Sequence, residues 1–237
     1  MSNNALTSAR QSLRLYGRRK GKRLRPSRQA LFDRALSSIR IDIDKEGVPI
    51  TPKALFTDTV DAMWLEIGYG GGEHLAAQAK THQNVGFIGA EVFENGIASL
   101  LRHCEEKQLT NVRIFDDDVR ALLPALAKDS LARVFLLYPD PWPKSKHAKR
   151  RFICPETLTA LAQVMSPGAE LRIATDHPAY ARWCLQHGPV HPCFEWLVTG
   201  PADWRTGPAD AVATRYEEKA IRAGRKPSYF TFAKTVF

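Results

Sequence analysis

A chain of 237 residues, 44% hydrophobic and 25% charged, is long enough for one good-sized domain and apolar enough to bury a sizeable core. No run approaches the ~18 apolar residues of a membrane span, and basic residues break every short apolar stretch near the N-terminus, which argues against a secretory leader. The charge is lopsided: residues 1–40 carry eleven Lys/Arg against one acid, Asp33 (net +10), whereas residues 41–237 carry 23 basic and 24 acidic side chains (net −1). Such a basic arm calls for a polyanion, either nucleic acid or an anionic membrane surface. The first 30 residues are acid-free and rich in Arg and Ser, as in a transit peptide. The functional look of GRRKGKRLRPSR (Gly17–Arg28) assigns them instead to the mature protein.

Beyond the arm, short β-type runs fall at Ala62–Ile67, Val85–Ala90, Val112–Phe115, Val134–Tyr138, Glu170–Ala174, Phe194–Val198 and Tyr229–Phe237. Helical spacing falls between them at Glu73–Thr81, Glu94–Lys107, Val119–Leu126, Pro155–Met165 and Ala179–Gln186, with Pro155 and Pro178 where a first turn tolerates proline. The alternation predicts an α/β fold: a Rossmann-like, doubly wound, mostly parallel sheet of about seven strands with helices on both faces and the last strand antiparallel. Pro139–Phe152 and Gly200–Ala213 read as loops. In such sheets ligands bind beyond the carboxyl ends of the strands, so the residues ending each strand carry the most information.

The first strand runs into WLEIGYGGG (Trp64–Gly72). A dinucleotide loop, G-x-G-x-x-G counted from Gly68, requires a third glycine at position 73, where this chain has Glu73. The pattern is instead Glu66-x-Gly68-x-Gly70-x-Gly72, and a carboxylate there repels a pyrophosphate but suits the sulfonium and ammonium of S-adenosylmethionine. Taken alone the loop is also compatible with a plain tight turn. Glu91 ends the second strand, 19 residues past Gly72, where an acid accepts from ribose hydroxyls. Asp118, in FDDDV, follows the third strand; it is placed for an adenine amine or for capping a helix. The fourth strand ends in YPDPWPKSKHAKRRF (Tyr138–Phe152). Three prolines flank Asp140 and Trp142, and Trp142 offers a face for a nucleobase. Lys144, Lys146, His147, Lys149, Arg150 and Arg151 follow, as a phosphate grip or a solvated loop.

In order, LEIGYGGG, GAEVFENGI (Gly89–Ile97), NVRIFDDDV, the PDPWPKSKHAKRRF block, TDHPAYARW (Thr175–Trp183) and TRYEEKAIRAG (Thr214–Gly224) resemble the bacterial tRNA guanine-N7 methyltransferases, from about Arg18 to the C-terminus. The resemblance implies S-adenosylmethionine as cofactor, tRNA as partner and an enzyme that methylates the variable-loop guanine at position 46; Cys104, Cys154, Cys184 and Cys193, with no C-x-x-C pair or framework spacing, fit reduced thiols in a cytoplasmic enzyme. No membrane and no obligatory protein partner is implied. It implies cofactor contacts from Glu66, Gly68, Gly70, Glu91, Asp118 and Asp140, with Asp140 also at the catalytic centre. Lys144, Asp176, Thr214, Arg215, Tyr216 and Glu217 are implied to hold the guanosine, and Lys146, His147, Lys149, Arg150 and Arg151 the RNA. The domain reading is a basic RNA-contacting arm over 1–40 and a methyltransferase domain over 41–237. Two departures stand out: Tyr138 replaces the family's usual Phe, and where the family tends to read F-E-x-R-G-x-x-x-G-H this chain reads Tyr216-Glu217-Glu218-Lys219-Ala220, then Gly224-Arg225.

The chemistry suits these residues, because guanine N7 is a bare acceptor on the major-groove edge. It attacks a methyl group without a general base, leaving orientation and electrostatics as the catalytic work. Cys184, His187, His191 and Cys193 have zinc-like spacing, but Gly188, Pro189 and Pro192 interrupt them and no metal is expected. Two competing readings are an NAD-type oxidoreductase, opposed by Glu73, and a noncatalytic RNA-binding module, opposed by the intact set Glu66, Glu91, Asp118 and Asp140.

Overall fold

The computed structural model describes residues 15–44, 47–56 and 58–235. The strands are β1 (Ala62–Ile67), β2 (Val85–Ala90), β3 (Val112–Phe115), β4 (Leu131–Leu137), β5 (Met165–Thr175), β6 (Phe194–Trp196) and β7 (Ser228–Lys234). The helices are α1 (Pro26–Ile39), α2 (Pro52–Leu55), α3 (Glu73–Thr81), α4 (Glu94–Lys107), α5 (Val119–Leu122), α6 (Pro155–Val164), α7 (Pro178–His187), α8 (Ala202–Arg205) and α9 (Arg215–Arg222). All seven strands form one sheet in the order 3-2-1-4-5-7-6. Pairing is parallel from β3 through β5, and β7 runs antiparallel between β5 and β6. The expected architecture is thus observed. The apolar pattern carries the last strand through Phe237; β7 ends at Lys234, and residues 236–237 lie outside the described residues.

The two-residue period of β1 sorts the core. Met63, Leu65 and Ile67 point to the face covered by α5, α6 and α7, where they pack with Leu122, Leu158 and Tyr180. Trp64 points to the other face, against Leu75 and Ala76 of α3 and Leu100 and Leu101 of α4. The chain winds outward from β1 in both directions, toward β2–β3 and toward β4–β5, so a crevice opens where the winding reverses. Among the described residues no helix is long and apolar enough to cross a membrane.

From Pro26 onward the basic segment belongs to the packed body. Pro26 starts α1, and Leu31, Phe32, Ala35, Leu36 and Ile39 recur with helical spacing along one side. Leu31 and Leu36 are buried in the core beneath α4, and Arg34 pairs with Glu105 at the surface. Ile41 continues the docking, its N–H donating to the Ile114 carbonyl at 2.7 Å beside β3. The arginine-rich composition of the segment hides this apolar stripe. Leu31→Ala should therefore lower the unfolding free energy by about 2–4 kcal/mol, read from chemical denaturation followed by circular dichroism. A helix that merely trailed from the body would leave the midpoint unchanged.

Candidate active site

The crevice at the strand ends is a cleft of about 680 Å³, within the range of small-molecule sites. Gly68, Gly70, Glu91, Asp118 and Asp140 all line it, together with Tyr16 of the arm and Tyr216 of α9. Its geometry begins at Gly70, which has φ +57°, a left-handed conformation suited to glycine. The Gly70 N–H donates to Glu91 Oε2 at 2.9 Å, while Oε1 of the same carboxylate accepts from Val92 and Phe93 N–H at 2.8 and 3.0 Å. On the other side, a Cβ at Gly96 in the first turn of α4 would overlap the Gly70 carbonyl. Burial raises the Glu91 pKa, with Asp140 adding to the rise, against three backbone donors that lower it.

Asp118 caps α5, accepting from the Arg120 N–H at 3.0 Å, and its two oxygens also hold the Arg120 guanidinium. The capping reading of Asp118 is observed, and the residue also lines the cleft. The structure does not bring Glu66 into the cleft wall. The pleat of β1 turns its side chain to the α3 face, where it is buried against His74 Nδ1 at 2.7 Å. His74 in turn packs edge-on against Phe135 with ring centres 4.8 Å apart.

The loop after β4 turns through two left-handed non-glycine residues, Tyr138 (φ +52°) and Trp142 (φ +40°). Each conformation costs of order 1–3 kcal/mol and persists only when the surroundings impose it. Arg151 braces the second of them: its Nε and Nη2 donate to the carbonyls of Pro141 and Trp142 at 3.1 and 3.0 Å, and its guanidinium lies 4.5 Å over the Trp183 ring. Arg151 is only 9% exposed, so its charge serves the loop rather than the surface. Arg150 lies 4.8 and 4.7 Å over the rings of Tyr16 and Trp142, and His147 stands edge-on to Trp142 at 5.8 Å. Lys144, Lys146 and Lys149 are exposed.

The third group lies at the C-terminal side. Thr214 caps α9, its Oγ1 accepting the Glu217 N–H at 3.1 Å, and the ring of Tyr216 covers Gly70. Arg215 pairs with Glu73 at 3.7 Å, so position 73 carries a carboxylate turned toward a cation. Glu217 accepts from Tyr229, and Asp176, just past β5, accepts from Arg225. The arm reaches the same cleft: the Arg19 carbonyl takes the Glu94 N–H at 2.9 Å, Asn95 brackets Gly21 and Lys22 at 3.0 and 2.8 Å, and Arg19 pairs with Asp117. Sequence reasoning missed Tyr16, Asn95, Arg225 and Tyr229. It also missed α9, although Thr214-x-x-Glu217 is a recognisable capping signature.

This strand order, with a glycine loop after β1 and acids at successive strand ends, is the architecture of Rossmann-like methyltransferases. Residues 61–229 match a family described as "Putative methyltransferase". The chain is 50% identical over 223 residues to the tRNA (guanine-N(7)-)-methyltransferase of Rhodospirillum rubrum, covering 93% of this chain and 88% of that one. It is 49% identical over 222 residues to the enzyme of the same name from Paramagnetospirillum magneticum, covering 93% and 92%. The crystal structure of the 16S rRNA methyltransferase KamB shares the fold, with a TM-score of 0.54 at 15% identity over 79% of this chain and 99% of that one. The chain belongs to the tRNA (guanine-N7)-methyltransferase family.

Two substitutions test the cleft. Gly96→Ala should push α4 off the Gly70 carbonyl and weaken S-adenosylhomocysteine binding at least tenfold, with the fold retained by circular dichroism. Glu91→Ala should weaken it by about 1–3 kcal/mol, the cost of leaving buried partners unpaired. Both are measured by isothermal titration, and unchanged affinity in a folded Glu91→Ala variant would remove that residue from the cofactor site.

Proposed function

We propose that this protein is a cytoplasmic enzyme that transfers a methyl group from S-adenosylmethionine to N7 of the variable-loop guanine at position 46 of tRNA. The observation that carries the reading is the packing of Tyr216 on Gly70, which joins the segment implied to hold the guanosine to the loop implied to hold the cofactor. When bound, the cofactor supplies an electrophilic methyl group on a positively charged sulfur.

The residues of the chain then have distinct tasks. Glu91, already fixed by three backbone donors, keeps one lone pair of Oε2 for a ribose hydroxyl. Asp118 offers a carboxylate to the adenine end, shared with Arg120. Glu66 sits beneath the loop, and its part in this reading is to support the glycine turn through His74. Asp140 stands at the mouth, where the purine gains positive charge as N7 becomes methylated, and its carboxylate stabilises that charge. No residue has to remove a proton from N7, because that nitrogen carries none. Lys144, Lys146 and Lys149, with Arg18, Lys20, Lys22 and Arg23 of the arm, form cationic rims for tRNA phosphates.

Purified protein should transfer labelled methyl groups from S-adenosylmethionine to a tRNA transcript with guanine at position 46 and not to the same transcript with adenine there. Equal labelling of both would end the positional assignment. Asp140→Asn should lower turnover at saturating cofactor by about 10²–10³-fold, the scale of losing one preorganised electrostatic partner. Near-normal turnover would leave the charge without a catalytic role. Changing Lys20, Lys22 and Arg23 together to Gln should weaken tRNA binding and flatten its dependence on log salt by about 0.7–0.9 for each phosphate no longer neutralised. An unaltered slope would place the arm away from the phosphates.

A further inference from the structure

The turn after α9 and the start of β7 hold both acids implied to read the guanine. Tyr229 Oη donates to Glu217 Oε1 at 2.5 Å, and Arg225 Nε donates to Asp176 Oδ2 at 2.6 Å. The sheet register explains why the groups meet. Tyr229 is the partner of Ala174 across β5 and β7, and the Ala174 carbonyl accepts the Tyr138 N–H at 2.7 Å. Leu137, Ala174 and Tyr229 therefore form one rung across three strands, and Tyr138, which follows Leu137 and donates to the Ala174 carbonyl, leads to Asp140 two residues on. Glu217 and Asp176 both lie close enough to raise the pKa of the half-buried Tyr138 phenol, behind desolvation and the neighbouring Tyr229. The backbone of Glu217 is already fixed by the Thr214 cap. Its side chain still has three rotatable bonds, and Tyr229 is what restrains them.

We infer that Tyr229 and Arg225 are positioning residues for guanine selection. Each holds one carboxylate oxygen, of Glu217 and Asp176 respectively, and leaves the other oxygen directed to the N1–H and exocyclic amino group of the base. The inference rests on the reading above that Asp176 and Glu217 hold the guanosine. Tyr229 suits the task because its pKa is pushed up to about 12, by burial first and then by Glu217. It stays protonated at any working pH and can only donate to the carboxylate.

The test uses the full-length enzyme and two tRNA transcripts, one with guanosine and one with inosine at position 46. Inosine keeps N7 and N1–H and lacks only the amino group. Tyr229→Phe removes a single hydroxyl. It should lower kcat/KM for the guanosine transcript about three- to tenfold, the scale of having to order one rotamer-rich side chain at binding. It should also shrink the guanosine-over-inosine preference, while S-adenosylhomocysteine affinity and Tm stay as in the parent protein. Arg225→Gln should behave likewise, and Arg225→Lys, which keeps a donor, should recover most of the loss. A parallel fall in Tm and S-adenosylhomocysteine affinity would overturn the proposal in favour of a merely structural role. An unchanged preference in Tyr229→Phe, with Glu217→Gln still losing it, would overturn the positioning role alone. An unchanged preference in Glu217→Gln as well would overturn the guanosine reading together with it.

Discussion

Gly70 is held from two sides, and the cleft takes its shape from that restraint. Its N–H is tied to the carboxylate that ends β2, and its carbonyl lies against Gly96 at the start of α4. The second contact tolerates no side chain at Gly96, since there the backbone of one element packs directly on the backbone of the other. Glu91 is the reciprocal partner. Half-buried, it would be costlier to ionise without the three N–H donors that converge on it. The glycine loop and the acid after β2 are thus one unit, and Tyr216 closes that unit from the C-terminal side.

The loop that carries Asp140 is built on a different principle. Two left-handed residues and three prolines make it stiff, and its strain is of the same order as the two charge-assisted hydrogen bonds that Arg151 supplies, about 1.5–3 kcal/mol each. The loop keeps its form because Arg151 is buried under Trp183 and has no better partner in water. A fork of fixed geometry is needed to reach two successive carbonyls, which an ammonium cannot match. The adjacent Arg150 works outward, bridging the loop to Tyr16 of the arm. Neighbouring arginines thus divide the labour between holding the loop and linking it to the arm.

The antiparallel β7 has a comparable effect at the other edge of the site. Because it returns alongside β5, its first residues arrive at the carboxyl end of the parallel strands, where the ligand groups are. Tyr229 and Arg225 meet Glu217 and Asp176 there for that topological reason. A parallel β7 would deliver its last residues to that end instead.

Composition and spacing by themselves determined much about this protein. Strand–helix alternation set the sheet class, because apolar runs of that length and interval have few other ways to bury themselves. Gly68, Gly70, Glu91 and Asp140 were legible because each ends a strand, and strand ends face the crevice whichever way the rest packs. Where side chains point, and what they meet, was decided only by tertiary structure. Glu66 shares the glycine motif, yet the pleat sends it under α3 to His74. Arg151 shares the basic run, yet it is buried in the loop it follows. The arm looked like charge alone, and its apolar stripe mattered only once α4 was there to cover it. Tyr229 and Glu217 lie twelve residues apart with no local signal connecting them, because the hydrogen bond between them exists only through the turn that brings β7 back against β5.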